Sequence, residues 1–150
     1  MECIFCDLLR RGDARWVERG PEASAFAPLD SLAPGHTVVV PNAHHEDVFD
    51  APPEQLAATM ALVQHLAKTM RTTLAATGVN ILNASGRASE QSVRHLHFHL
   101  VPRWPGDGFS TWPSETSTHH FEGDAIAHLA HAVLLAQPQA LGVVVDEAVD

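Results

Sequence analysis

The segment His95-Leu-His97-Phe-His99-Leu-Val101 carries an imidazole at every second position. Side chains two apart in an extended strand share a face. The alternation therefore predicts three imidazoles in a row, roughly 6.5–7 Å apart, with Leu96, Phe98 and Leu100 turned the other way. For one isolated histidine the plain reading is a half-buried strand with a wet face, and three in register argue against it. Neutral imidazole is a common metal ligand, and catalytic zinc often uses several. It is also a nucleophile when one ring nitrogen attacks and an acceptor, such as a nearby backbone carbonyl, holds the proton on the other. A metal-dependent hydrolase calls for carboxylates close to the triad. The nearest downstream, Asp107 and Glu115, lie in an irregular segment with no ligand-like spacing.

The two cysteines form Cys3-Ile-Phe-Cys6. In a reducing compartment this spacing reads as half a metal site, a redox pair or two free thiols rather than a structural staple. Eleven histidines are present in all. His65, His119, His120, His128 and His131 have no partner spacing that assigns them a role.

These residues need elements to hold them. Arg15–Arg19 and Ala23–Ala27 read as two short strands joined by a Gly20-Pro21 turn. His36-Thr-Val-Val-Val-Pro41 is a β-branched run between prolines and predicts a third strand with His36 at its entrance. Leu56, Met60, Val63, Ala67, Met70 and Leu74 recur at helical intervals, which predicts a long helix over Pro53–Thr77 stopped by Gly78. A strand over Val79–Ala84, a polar loop over Ser85–Gln91 and the histidine strand over Val93–Pro102 follow. Residues 103–118 are rich in Pro, Gly, Ser and Thr and hold Trp104 and Trp112, the composition of an irregular surface segment and a candidate substrate lip. Ile126, Leu129, Ala130, Val133 and Leu134 predict a shorter helix ending before Pro138, and an apolar-then-acidic tail runs from Leu141 to Asp150.

A chain of 150 residues with 45% hydrophobic composition suits one domain with its own core. Eighteen acidic residues against nine basic ones give a net charge of −9, which disfavours a broad surface for long DNA or RNA. A phosphorylated small molecule would need a local, preorganised pocket. The first eleven residues lack the basic head and apolar stretch of a signal peptide, and no run approaches the ~20 residues of a membrane span, so the expected location is the cytoplasm.

The His95–Val101 segment resembles the His-φ-His-φ-His-φ-φ signature (φ apolar) of the histidine triad family. Cys3-x-x-Cys6, Ala33-Pro-Gly-His36-Thr-Val-Val-Val-Pro41, Asn83 and Gln91-Ser-Val93 stand in the order and spacing of that family, so the resemblance covers residues 1–104. It implies an α+β fold with about five antiparallel strands, one long helix and a shorter C-terminal helix, pairing into a twofold homodimer. It also implies cleavage of a nucleoside 5′-phosphoramidate or dinucleoside polyphosphate at the α-phosphate, through a covalent nucleotidyl-histidine. In that scheme His97 is the nucleophile, His99 and Ser92 bind the phosphate and assist the leaving group, and His36 tunes proton positions around His97. Asn83 and Gln91 take the place of the phosphate-contacting amides, which can donate to oxygens where charge accumulates.

Two departures stand out. Glu90 replaces a frequent glycine, and Pro28 stands where many members have an acid that grips the ribose, a role Asp30 could assume. Family members with the N-terminal cysteine pair can hold a structural zinc, and the resemblance implies Cys3, Cys6, His44 and His95 as its ligands, with His45 a competitor for His44. Against the nucleotidyl hydrolase stand a non-catalytic nucleotide-binding module and the metal-dependent hydrolase. Turnover separates the first alternative, and activity that survives a strong chelator counts against the second.

Overall fold

The computed structural model describes residues 2–136, which fall into two compact units, one from the N-terminus to Thr111 and one from Trp112 onward. The first opens with helix α1 (Ile4–Arg11), a helix the sequence patterns did not announce. Its local signals are strong nonetheless. Cys3 sits at the N-cap with its sulfur accepting from the Cys6 N–H, and Gly12 ends the helix in a left-handed conformation at φ 75°.

Strands β1 (Trp16–Arg19), β2 (Ala23–Phe26), β3 (Thr37–Pro41), β4 (Gly78–Leu82) and β5 (Phe98–Arg103) form one antiparallel sheet in the order β1-β2-β3-β5-β4. Helix α2 (Pro53–Thr73) packs on one face. Strands β2 and β3 are buried at every residue because both faces are covered. Val39, Ala25 and Leu100 meet Val63, Leu66 and Met70 of α2, while Val38, Val40 and Phe26 meet Phe5, Leu8 and Leu9 of α1. Alternate residues of the Val38-Val39-Val40 run thus serve two cores, as period-two geometry requires.

Several element ends differ from expectation. Helix α2 stops at Thr73, with Ala75 in a left-handed conformation two residues beyond, and β4 ends at Leu82 rather than Ala84. The larger difference is at β5, which begins at Phe98 and not at Val93. The β3 ladder pairs Thr37, Val38 and Val39 with Leu100, His99 and Phe98 and goes no further. Before Phe98 the chain bonds to the loop after β3 instead: the Leu96 N–H donates to the His45 carbonyl at 2.7 Å.

Arg103 ends β5 by clamping the following turn, reaching Asp107 through two nitrogens at 2.7 and 2.9 Å, Asn80 at 2.8 Å and the Phe109 carbonyl. That bidentate guanidinium holds the Asp107 carboxyl far below the usual carboxylate range. Trp104 packs against the α2-side core and its Nε1 donates to the Leu74 carbonyl at 3.2 Å, so it is a packing residue.

In the second unit helix α3 (Ala125–Ala136) is capped by Asp124, whose carboxylate accepts from the Ala127 N–H at 3.0 Å. The apolar-then-acidic tail over 141–150 lies outside the described residues. Among the described residues no helix is long and apolar enough to cross a membrane.

Candidate active site and metal centre

The residue run that carries the three histidines is strand only from Phe98 onward, and this divides them. His95 and His97 stand in the lead-in, buried with Leu96 between them, and His99 is in β5. Leu96, Phe98 and Leu100 enter the α2-side core as their alternation predicts.

His95 turns toward the N-terminal helix. Its Nδ1 lies 3.4 Å from Cys3 Sγ, 3.5 Å from Cys6 Sγ and 3.3 Å from His44 Nδ1, and Cys6 Sγ lies 3.3 Å from His44 Nδ1. One donor atom from each of Cys3, Cys6, His44 and His95 falls within a sphere of mutual distances under 4.8 Å. A tetrahedral zinc with bonds of about 2.3 Å to sulfur and about 2.0 Å to nitrogen would set those edges at about 3.3–3.6 Å, so the donor set fits this ion. The protons agree. His95 Nε2 donates to the Pro41 carbonyl at 2.8 Å, which leaves its Nδ1 lone pair facing the sulfurs. Burial pushes the Cys6 thiol up to about 11, with the Cys3 thiol beside it adding to the shift. Without a cation the Cys6 sulfur keeps its proton, and metal binding must expel it. His44 joins this set; His45 does not, and its Nε2 is buried without a partner among the described residues.

His97 and His99 form a second cluster with His36. The rings of His97 and His99 are 5.2 Å apart, and those of His36 and His99 are 5.1 Å apart. His36 Nδ1 accepts from the Leu32 N–H at 3.0 Å, so its proton sits on Nε2, which faces His99 Nδ1 at 2.9 Å. His36 therefore donates to His99, and His99 carries its own proton on Nε2. His97 Nδ1 lies 2.7 Å from the His95 carbonyl and must donate there, which leaves Nε2 as a bare lone pair. His36 thus acts directly on His99, whose ring lies 5.2 Å from that of His97. Burial holds all of these imidazoles neutral. It lowers His97 and His36 below 6.5 and, with the charges of His97 and His36, lowers His99 to about 4; His95 is likewise lowered to about 4 by burial.

Asn83 Nδ2 donates to the His97 carbonyl at 2.9 Å, and Asn83 Oδ1 accepts from Ser85 Oγ at 2.8 Å. Gln91 Nε2 donates to the carbonyls of Glu46 and Val93 at 2.7 and 2.9 Å, while its Oε1 accepts from the Gly86 N–H at 2.9 Å. Both amides are tied to backbone, so they shape the loop around His97. Ser92 is exposed between Gln91 and Val93, and Asp30 is exposed beside Leu29 in the connection from β2 to β3. Phe5 is the residue that sequence patterns did not single out: it packs edge-on against His95 and His97 at 5.9 and 5.3 Å, between the two clusters. Its place inside the Cys-x-x-Cys spacing was the available signal.

The family described as HIT domain matches residues 11–106. An uncharacterized HIT-like protein of Methanocaldococcus jannaschii is 35% identical over 108 residues, covering 71% of this chain and 82% of its own length. The adenosine 5′-monophosphoramidase of Schizosaccharomyces pombe is 32% identical over 120 residues, covering 76% of this chain and 85% of its own. Among solved structures, a Zn-bound histidine triad family protein from Mycobacterium smegmatis superposes with a TM-score of 0.69 at 36% identity, covering 74% of this chain and 81% of that one.

Proposed function

The chain belongs to the histidine triad family, a family of nucleotide-binding hydrolases and transferases, and from that premise we propose that it cleaves nucleotides at the α-phosphate through a covalent bond to His97. The observation that carries this reading is the proton pattern. The 2.7 Å bond from His97 Nδ1 to the His95 carbonyl leaves a bare Nε2, and the Leu32–His36–His99 relay leaves a N–H on His99 Nε2.

In the first step His97 Nε2 gives its lone pair to phosphorus, and the bond from phosphorus to the oxygen or nitrogen of the leaving group breaks. The positive charge that develops on the imidazole is shared with the His95 carbonyl through Nδ1–H. His99 Nε2–H donates to a phosphoryl oxygen, Ser92 is assigned to the departing group, and that group leaves with its electron pair and takes a proton from solvent, which the water of the second step returns. In the second step water attacks phosphorus, the phosphorus–nitrogen bond breaks, its electrons return to Nε2, and the water proton is released with the nucleoside monophosphate. Splitting one displacement into two lowers the barrier of each. Asp30 is assigned the ribose hydroxyls, and Asn83 and Gln91 hold the loop that frames the phosphate.

Cys3, Cys6, His44 and His95 would hold a zinc ion in a closed four-coordinate site, where it supplies structural stability. The Mycobacterium smegmatis relative, described as Zn-bound, supports that assignment. The same reading makes the protein a cytoplasmic twofold homodimer, which light scattering tests. Residues 1–150 are read as a single histidine triad domain whose motif-bearing part is residues 1–104.

The test of the activity is incubation with adenosine 5′-phosphoramidate, a substrate chosen for the Schizosaccharomyces pombe relative's name, followed by acid-free denaturation and mass spectrometry. An adenylylated histidine found in wild type and absent in His97→Ala supports the reading. AMP released with no adduct at any time, and at the same rate in His97→Ala, contradicts it.

A further inference from the structure

In a chain of net charge −9, the loop between β4 and β5 collects two of the nine basic residues on one concavity. Arg87 and Arg94 line a cleft of about 380 Å³ together with Gly86, Ala88, Glu90 and Gln91. The cleft is joined to the reacting histidine by short links. Gly86 donates to Gln91, and the neighbouring Ser85 donates to Asn83, which in turn holds the His97 carbonyl. Ser92, the residue assigned above to the departing group, lies in the chain between the lining residues Gln91 and Arg94.

The backbone of this loop takes left-handed conformations at three of the residues that line the cleft. Gly86, Ala88 and Glu90 have φ of 90°, 61° and 69°, and the residues between them do not share that sign. Left-handed conformations at an alanine and a glutamate are unfavourable and persist where the surrounding contacts impose them.

Both arginines are available. Arg94 pairs with Glu46 only at 3.6 Å, and the two side chains are 68% and 52% exposed, so an incoming anion can displace that partner. Arg87 is exposed. The cleft's own carboxylate, Glu90, offsets one of the two positive charges.

We propose that Arg87 and Arg94 form a subsite for a leaving group that is itself an anion, so that the enzyme favours nucleotides whose α-phosphate is joined to a charged group over those joined to a neutral amine. This rests on the His97 reading above. The shared chemistry is a negative charge on the departing group, supplied by a further phosphate or by a carboxylate on an amine.

The experiment compares kcat/KM for three substrates of one adenosine series: the phosphoramidate, which releases ammonia; diadenosine triphosphate, which releases ADP; and the phosphoramidate of aspartate, which releases a dicarboxylate amine. The ratio of each charged-leaving-group substrate to the plain phosphoramidate is read in wild type, in the double variant Arg87→Gln/Arg94→Gln, and in Glu90→Gln. The double variant is expected to lower the ratio about tenfold for at least one charged substrate, and the affected one identifies the source of charge. Glu90→Gln is expected to raise the ratio, a direction that misfolding does not produce. Raising salt on wild type is a check that needs no variant. A chain of net charge −9 repels anionic substrates, so screening should speed their turnover; a slowing confined to the charged-leaving-group substrates marks the local basic site. Ratios that do not move in either variant overturn the subsite. Absence of turnover on all three substrates in wild type instead overturns the His97 reading itself.

Discussion

Two histidine clusters stand side by side around Phe5 and treat their protons in opposite ways. At the Cys3–Cys6–His44–His95 cluster, potential metal donors converge: the Nδ1 atoms of His44 and His95 lie 3.3 Å apart beside the two sulfurs, a donor set that fits a cation. At the His36–His97–His99 cluster, donors and acceptors alternate: a N–H meets a lone pair at 2.9 Å and another meets a carbonyl at 2.7 Å, which needs no ion. The residue type is the same in both. What differs is which ring nitrogen the backbone claims, Nε2 by the Pro41 carbonyl in His95 and Nδ1 by the His95 carbonyl in His97. Backbone carbonyls thus decide which imidazole turns its Nδ1 toward the sulfurs and which keeps a bare Nε2. His95 belongs to both clusters, through its ring in one and its carbonyl in the other.

Removing the reacting nitrogen is the most damaging change. His97→Ala should cost at least about a thousandfold in kcat with adenosine 5′-phosphoramidate while the metal content of the protein stays at its wild-type value. Loss of both together would show that the clusters are one unit. Cys3→Ser with Cys6→Ser breaks the other cluster: metal measured by elemental analysis should vanish, the thermal midpoint should fall by several degrees, and kcat should fall far less than in His97→Ala. His36→Ala deprives His99 Nδ1 of its donor, frees that nitrogen to take the proton and should lower kcat by about 10- to 100-fold with little change in thermal midpoint.

The alternating cluster also predicts a pH response. His99, lowered to about 4, stays neutral in the fold and takes up a proton at 6.5 only when unfolded, and His36 is shifted the same way. Their contribution to stability is fully present above pH 6.5 and is lost as pH falls from there toward 4. Denaturant titrations across that window should show the loss, and His36→Phe, which removes one of the titrating rings, should make it shallower. The smallest effect is at Asn83→Ala, which releases the His97 carbonyl and should cost about 1 kcal/mol of stability.

Much of this was legible before any coordinates. Alternation turned Leu96, Phe98 and Leu100 away from the histidines, the proline-bounded valines read as a strand, and the helical spacing marked α2. The resemblance placed Cys3, Cys6, His44 and His95 together, and their donor atoms converge. The missed features share a cause. Helix α1 is eight residues long and held by its caps and by Phe5, Leu8 and Leu9 against the sheet, which are tertiary contacts with little periodic signal. The split of the three histidines follows from the Leu96–His45 and His95–Pro41 bonds, which involve backbone groups that every residue carries. Gln91 has the residue type of a phosphate donor, yet both its N–H groups are claimed by carbonyls of Glu46 and Val93, which no pattern in the chain announces.

The contrast between the clusters is most directly tested by two-bond nitrogen-15 correlation spectra of the histidine rings in the zinc-loaded protein near pH 7. The account predicts His97 protonated on Nδ1 with Nε2 bare, and His36, His95 and His99 protonated on Nε2. A His97 found with its proton on Nε2 would contradict it, because the nitrogen assigned to attack phosphorus would then have no lone pair to give.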